Sequence, residues 1–187
     1  MKYKIGIFGS AAGDLEDVLP KSETLGKLLG QYKDRILILT GAGPGLPFIV
    51  AKEAAAAGVE VWGFSAALDL KSQKQSAPDV DTTVFKKLIY LPAGLPLADN
   101  VRVGRKYRNV TSTATCDAGI IISGRWGSLN EFTNLMDMQK LVGVWTGTGG
   151  VADELPALTQ KITKEGQGTV FFDDDPARLL TEIMKHL

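Results

Sequence analysis

Cysteine and histidine are almost missing from this chain of 187 residues, which has one of each, Cys116 and His186. A lone cysteine closes no internal disulfide and builds no thiolate metal site. A lone histidine at the penultimate position leaves no basis for Ser/His or Cys/His nucleophilic machinery, or for His-rich zinc or iron centres. Charge of one sign is not in excess either, since 21 Lys plus Arg balance 21 Asp plus Glu. Proteins that live on nucleic-acid phosphates or acidic membranes want a basic surplus, so neither partner is expected. No apolar run approaches the ~20 residues needed to span a bilayer. The opening MKYKIGIFGS reads as a strand and turn rather than a cleavable leader, so the expected setting is a reducing cytoplasm.

What is present is ordinary globular material, with 44% hydrophobic and 22% charged residues, enough to bury a core without staples. Short apolar runs alternate with stretches of helical periodicity. Strands are expected at Lys4–Gly9, Arg35–Thr40, Val59–Phe64, Lys87–Leu91, Gly119–Ser123, Leu141–Trp145 and Thr169–Phe172. Helices fit at Pro20–Tyr32, Pro47–Ala57, Asn100–Thr115, Leu129–Lys140, Asp153–Glu165 and Pro176–Lys185. Nearly all-apolar strands are what a sheet covered on both faces requires. The alternation predicts an α/β fold: one Rossmann-like three-layer domain over residues 1–187, with a mostly parallel sheet of about seven strands flanked by helices. Asp69–Thr83 is the one long polar insertion, a solvated loop or a lid.

Ligands of open parallel sheets sit beyond the carboxyl ends of the strands, where three loops here are glycine-rich. The first, Gly9-Ser10-Ala11-Ala12-Gly13, permits close approach and offers the Ser10 hydroxyl, and it also fits a plain tight turn. The second, Gly41-Ala42-Gly43-Pro44-Gly45, precedes a helix whose N-terminus favours an anion. It is neither a dinucleotide fingerprint, because Leu46 holds the third glycine position and no acid ends the next strand, nor a Walker loop. The third runs Ser123-Gly124-Arg125-Trp126-Gly127-Ser128-Leu129-Asn130-Glu131. Its N–H groups and the Ser128 hydroxyl suit a phosphate, while Ser128-x-x-Glu131 also reads as a capping box. Trp126 suits a stacked base or a hydrophobic plug equally.

Between the second and third loops lies Arg102-Val103-Gly104-Arg105-Lys106-Tyr107-Arg108-Asn109. As a helix it would bury Val103, Tyr107, Val110 and Ala114, leaving Arg102, Arg105 and Arg108 beside that face. These arginines are a solvated surface unless the fold brings them to the glycine loops, where their planar forks suit phosphate.

With these features together, the chain resembles the LOG-like (SLOG) superfamily, which includes the "lonely guy" phosphoribohydrolases once labelled lysine decarboxylases and the molybdenum-cofactor carrier-like proteins. The resemblance lies in Gly41-Ala42-Gly43-Pro44-Gly45-Leu46, in Arg108-Asn109, in Asp117, and in the Ser123–Glu131 loop, which parallels a Pro-Gly-Gly-x-Gly-Thr-x-x-Glu motif. Arg108 stands 23 positions before Glu131, the family's interval, and the Arg-Asn pair is closer to the carrier-like branch. Ser123 replaces the motif's proline, Arg125 its second glycine and Ser128 its threonine.

The resemblance implies hydrolysis of the N-glycosidic bond of a nucleoside 5′-monophosphate, with Arg108 and Glu131 as catalytic residues. Gly9, Ser10, Gly41, Gly43, Gly45, Ser123, Gly124, Arg125, Gly127 and Ser128 would bind or shape the phosphate pocket, joined by Arg105, Asn109 and Trp126. No metal and no cofactor is required by this chemistry. The alternative is a binding protein that holds a nucleotide or a molybdopterin-type cofactor without turnover, which Arg125 in the glycine loop favours. DNA binding, known in distant relatives, finds little support in a neutral chain. A homodimer formed through helices near the site is also implied, for which Val101, Met136 and Met138 are candidates, although core packing accounts for each.

Overall fold

A computed structural model describes residues 1–11 and 16–187. Seven strands form one sheet: β1 (Tyr3–Gly9), β2 (Ile36–Gly41), β3 (Glu60–Phe64), β4 (Lys87–Ile89), β5 (Ala118–Ile122), β6 (Leu141–Trp145) and β7 (Thr169–Asp173). All neighbouring pairs are parallel, in the order β4-β3-β2-β1-β5-β6-β7. The strand order reverses between β1 and β5, and such a reversal opens a crevice at the carboxyl ends of the two strands. The expected α/β architecture is thus present, with β4 ending two residues earlier than its apolar run.

Among the described residues six helices connect the strands, α1 (Leu19–Leu29), α2 (Leu46–Ala56), α3 (Leu70–Ser76), α4 (Val101–Thr115), α5 (Trp126–Asp137) and α6 (Val151–Lys161), and α7 (Pro176–His186) follows β7. Period-two alternation splits the core between the two faces of the sheet. Ile5, Ile7, Ile36, Ile38, Ile120 and Ile122 pack toward Leu25, Val50 and Ile183 of α1, α2 and α7. Phe8, Leu37, Leu39 and Ile121 pack toward Phe132, Leu135 and Leu155 of α5 and α6. Gly119 makes room on this second face, because a Cβ there would stand 2.5 Å from Leu135 Cδ1. α7 begins as its residues dictate, with the Asp175 side chain accepting from Arg178 N (2.8 Å) and Pro176 at the first position.

Three expectations need correction. The polar insertion 69–83 is not a long loop. It contains α3, opened by a capping box between Asp69 and Ser72, and a 3-10 turn at Thr82–Val84. Two buried side chains tie the segment down, Val80 in the core and Gln73: Gln73 Nε2 donates to Ala42 O (2.6 Å) and Gln73 Oε1 accepts from Ser65 Oγ (2.5 Å). Gln73→Ala strands both partners in a dry setting, so a loss of about 1–3 kcal/mol is expected in urea denaturation.

The buried face of α4 is the second correction. Gly104, Asn109, Ser112 and Thr113 point inward, whereas Val110 is 43% exposed and Ala114 is exposed too. The small and hydroxylated face is satisfied locally, Ser112 Oγ and Thr113 Oγ1 both donating to Asn109 O (3.1 and 2.7 Å). Gly104 lets the helix approach Leu91 and Ala66 O. The third correction is the Ser128-x-x-Glu131 capping box. α5 starts at Trp126 with Arg125 as its N-cap, so Ser128 and Glu131 both lie inside the helix. Elsewhere boundaries shift by a few residues, and Pro20–Tyr32 divides into α1 and a 3-10 turn at Gly30–Tyr32.

Candidate functional site

The crevice between β1 and β5 is walled by Gly9, Ser10 and Ala11 at the end of β1, by the basic face of α4 and by the first turn of α5. It forms a cavity of about 350 Å³ lined by Gly9, Ser10, Ala11, Arg102, Arg105, Lys106, Arg108, Asn109, Arg125, Trp126, Gly127, Ser128 and Glu131. A second cavity, of about 360 Å³, shares Arg105, Arg108, Arg125 and Glu131 and extends to Gly41, Gly43, Pro44 and Pro47 of the β2–α2 loop. The topology therefore turns a row of arginines into the wall of a cleft, which position in the sequence alone does not reveal.

α4 carries these cations because its start and its inner face are fixed. The Asn100 side chain caps it, accepting from Arg102 N (3.0 Å) and Val103 N (3.4 Å). Arg108 then reaches over β2 to Gly41, where a Cβ would stand 3.1 Å from the guanidinium. Gly41 thus serves as a seat for Arg108. Burial lowers the Arg108 pKa, with the Glu131 charge opposing the shift, and the guanidinium remains a cation.

Among the described residues Glu131 is the single carboxylate on these walls, and it is 9% exposed. Burial pushes its pKa up from 4.5 to about 7, against the pull of Arg108 and Lys106. Asn109 orients it. The carboxamide sets its NH2 toward Glu131 Oε1 (3.1 Å) and Arg105 O (3.0 Å), because the opposite orientation would face its oxygen onto two acceptors. Lys106 Nζ lies 3.4 Å from the Asn130 carboxamide, bringing α4 and α5 together.

The α5 end of the crevice is braced from behind. Ser123 and Gly124 adopt positive φ, 52° and 106°. Their carbonyls accept from Ala152 N (3.1 Å) and Val151 N (2.9 Å), capping α6, while Ser123 N donates to Thr148 Oγ1 (2.8 Å). Ser123 and Gly124 therefore shape the turn without lining either cavity. Gly45 does not line them either: a Cβ there would meet Ala11 Cα at 2.4 Å. Leu46 N donates to Ser10 O (3.0 Å) and Pro47 has no N–H, so the α2 terminus is already engaged by the first loop. The α5 terminus differs, as Arg125 makes no side-chain cap and the first turn at Trp126, Gly127 and Ser128 lines the crevice. Trp126 is 83% exposed, so it is no plug.

Gly9, Ser10, Gly41, Gly43, Arg105, Arg108, Asn109, Arg125, Trp126, Gly127, Ser128 and Glu131 are thus brought together, while Ala12 and Gly13 of the first loop lie outside the described residues. Arg102, left open between solvent and site by the sequence, lines the same cavity, and Lys106 joins it unforeseen. Of the candidate interface residues, Met136 lies in the core and Val101 is exposed. Among the described residues no group of three His, Cys, Asp or Glu is placed to hold a metal, and no helix is long and apolar enough to cross a membrane.

A doubly wound parallel sheet with a cation-lined crevice at its switch point defines a Rossmann-like protein. The chain belongs to the SLOG cluster4 family, whose model matches residues 2–180. Its fold is similar to that of the protein TM1055 (16% identity, TM-score 0.75, all of both chains covered). It is also similar to the molybdenum cofactor binding protein from the phototrophic bacterium Rippkaea orientalis (17% identity, TM-score 0.69, 100% of this chain and 97% of that one). DNA processing protein A from Helicobacter pylori, described for its single-stranded DNA binding mode, shares the fold as well (15% identity, TM-score 0.67, 98% and 81% covered). No curated protein matches the sequence.

Proposed function

We propose that this protein hydrolyses the N-glycosidic bond of a nucleoside 5′-monophosphate, releasing free base and ribose 5-phosphate. The observation that carries the reading is Glu131, a buried carboxylate raised to about 7 in a crevice whose other charged residues, among those described, are Arg102, Arg105, Lys106, Arg108 and Arg125. The α5 N-terminus and Arg108 hold the phosphate and fix the ribose. As the C1′–N bond breaks, positive charge grows at C1′, and the Glu131 carboxylate stabilises it. The same carboxylate takes a proton from the water whose oxygen bonds to C1′ and passes that proton to the nitrogen of the departing base, which leaves Glu131 ionised again. Asn109 positions the carboxylate for this work. The reading calls for no metal or cofactor, and it has the enzyme act in the cytoplasm as a homodimer packed through the outer face of α4, where Val110 is exposed.

A second reading rests on Arg125, which puts a cation into a turn where bare backbone would let phosphate settle deeper. It makes the crevice a carrier site for a nucleotide or pterin phosphate without turnover, in keeping with the cofactor-binding neighbour from Rippkaea orientalis. Chromatography of a nucleoside monophosphate panel, including AMP and an N6-modified AMP, separates the two. Free base appearing with wild-type protein and absent with Glu131→Gln establishes the hydrolase. Thermal stabilisation by a nucleotide or pterin phosphate without base release establishes the carrier.

A further inference from the structure

Three residues at the mouth of the crevice have no task in the reaction above. Trp126 stands at the first position of α5 and is 83% exposed, with its indole on the wall of the cavity. Arg102 and Lys106 lie one turn apart on α4, exposed at the same mouth, whereas Glu131 lies buried inside. Among the described residues the cavity gathers five cations against one carboxylate, in a chain whose total charge is zero. A phosphate monoester supplies only about two negative charges at neutral pH. Among the described residues none of these cations forms an ion pair. Like charges crowded in one cleft repel, so an arrangement this one-sided fits a ligand with more negative charge than a mononucleotide carries.

We propose that the ligand bears a second phosphoryl group, seated on Arg102 and Lys106, and beyond it a heterocycle stacked on Trp126. The class is a small dinucleotide or nucleoside diphosphate derivative whose first phosphate sits at the α5 N-terminus. This assignment rests on the nucleotide reading above. It explains why an indole stays in solvent at a helix start, since an exposed aromatic face beside cations is a platform for a base. It also explains the size of the site, because the two cavities that share Arg105, Arg108, Arg125 and Glu131 measure about 350 and 360 Å³.

Titration calorimetry on the full chain carrying Glu131→Gln, which blocks turnover, compares AMP, ADP and diadenosine diphosphate. ADP is expected to bind at least roughly tenfold tighter than AMP, as two added charge-assisted contacts should give. The dinucleotide is expected to gain about tenfold more from stacking. The double variant R102Q/K106Q should erase the advantage of ADP over AMP, and W126A should erase only the further advantage of the dinucleotide. Equal affinity for all three ligands, to about twofold, overturns the proposal and leaves the mononucleotide reading standing. No binding of any nucleotide by protein with native circular dichroism overturns both. A (dA)10 strand binding about a hundredfold tighter than the dinucleotide, with a steep salt dependence, overturns the small-ligand assignment in favour of a nucleic-acid site.

Discussion

Glu131→Gln is expected to lower turnover of the nucleotide by about 10² to 10⁴ while affinity changes only a few-fold, because the carboxylate acts chiefly as charge develops in the transition state. The same variant should be more stable than wild type at neutral pH. The folded chain holds the Glu131 proton more tightly than the unfolded chain, with a pKa of about 7 against an ordinary 4.5. Between those values the native state binds more protons than the unfolded one, so wild-type stability falls as pH rises from about 4.5 to about 7. Integrated over that window the loss is about 3 kcal/mol, and the neutral amide escapes it. Urea denaturation at about pH 5 and pH 8 reads this directly: the decline belongs to wild type and is absent in the variant. The pH profile of kcat/KM in wild type should rise through a limb near 7, since the ionised carboxylate is the active form. Identical pH slopes in the two proteins would remove burial as the source of the shift.

Gly124→Ala is expected to cost about 3 kcal/mol or more and to abolish ligand binding with it. Gly124 has φ of 106°, and a Cβ there would stand 2.4 Å from Ser128 Cβ, which is anchored within α5. Ser128 cannot yield without moving the first turn of the helix, and Gly124 O is already pinned by Val151 N. Gly127→Ala is the contrasting case. A Cβ at Gly127 meets nothing within 4 Å, so the variant should gain about 0.5–1 kcal/mol from helix propensity. It should weaken phosphate binding, because the methyl stands at the N-terminus on which the anion would rest. Denaturation and calorimetry on the two variants together separate the scaffold role of one glycine from the contact role of the other.

The strands were legible because a parallel sheet covered on both faces demands runs such as RILILT and GIIIS, which no other element uses so compactly. α3 was hidden because its seven residues carry almost no apolar signal, its anchor being the amide of Gln73. The inner face of α4 was misread for a related reason. Apolar periodicity marks burial only when the covering surface is apolar, and α4 instead lays Gly104, Asn109 and Ser112 onto strand ends and α5. Glu131 and Arg108 were legible through motif spacing. Their electrostatics were not, because the raised carboxyl depends on burial that only the β1–β5 reversal creates. The sequence leaves Arg102 open between a solvated surface and the site and assigns Lys106 nothing, because only the fold puts both on the cavity wall. The capping box failed on geometry, since the Ser123–Gly124 turn starts α5 three residues earlier than the apolar pattern suggests.

The proposed hydrolase breaks the C1′–N bond of AMP and leaves the phosphate ester intact. Phosphorus-31 and proton NMR of AMP incubated with the wild-type protein follows that bond directly. The expected result is loss of AMP with equal amounts of adenine and ribose 5-phosphate appearing, and no reaction with Glu131→Gln. AMP and every other monophosphate of the panel recovered intact, or orthophosphate released with the nucleoside left whole, would contradict it.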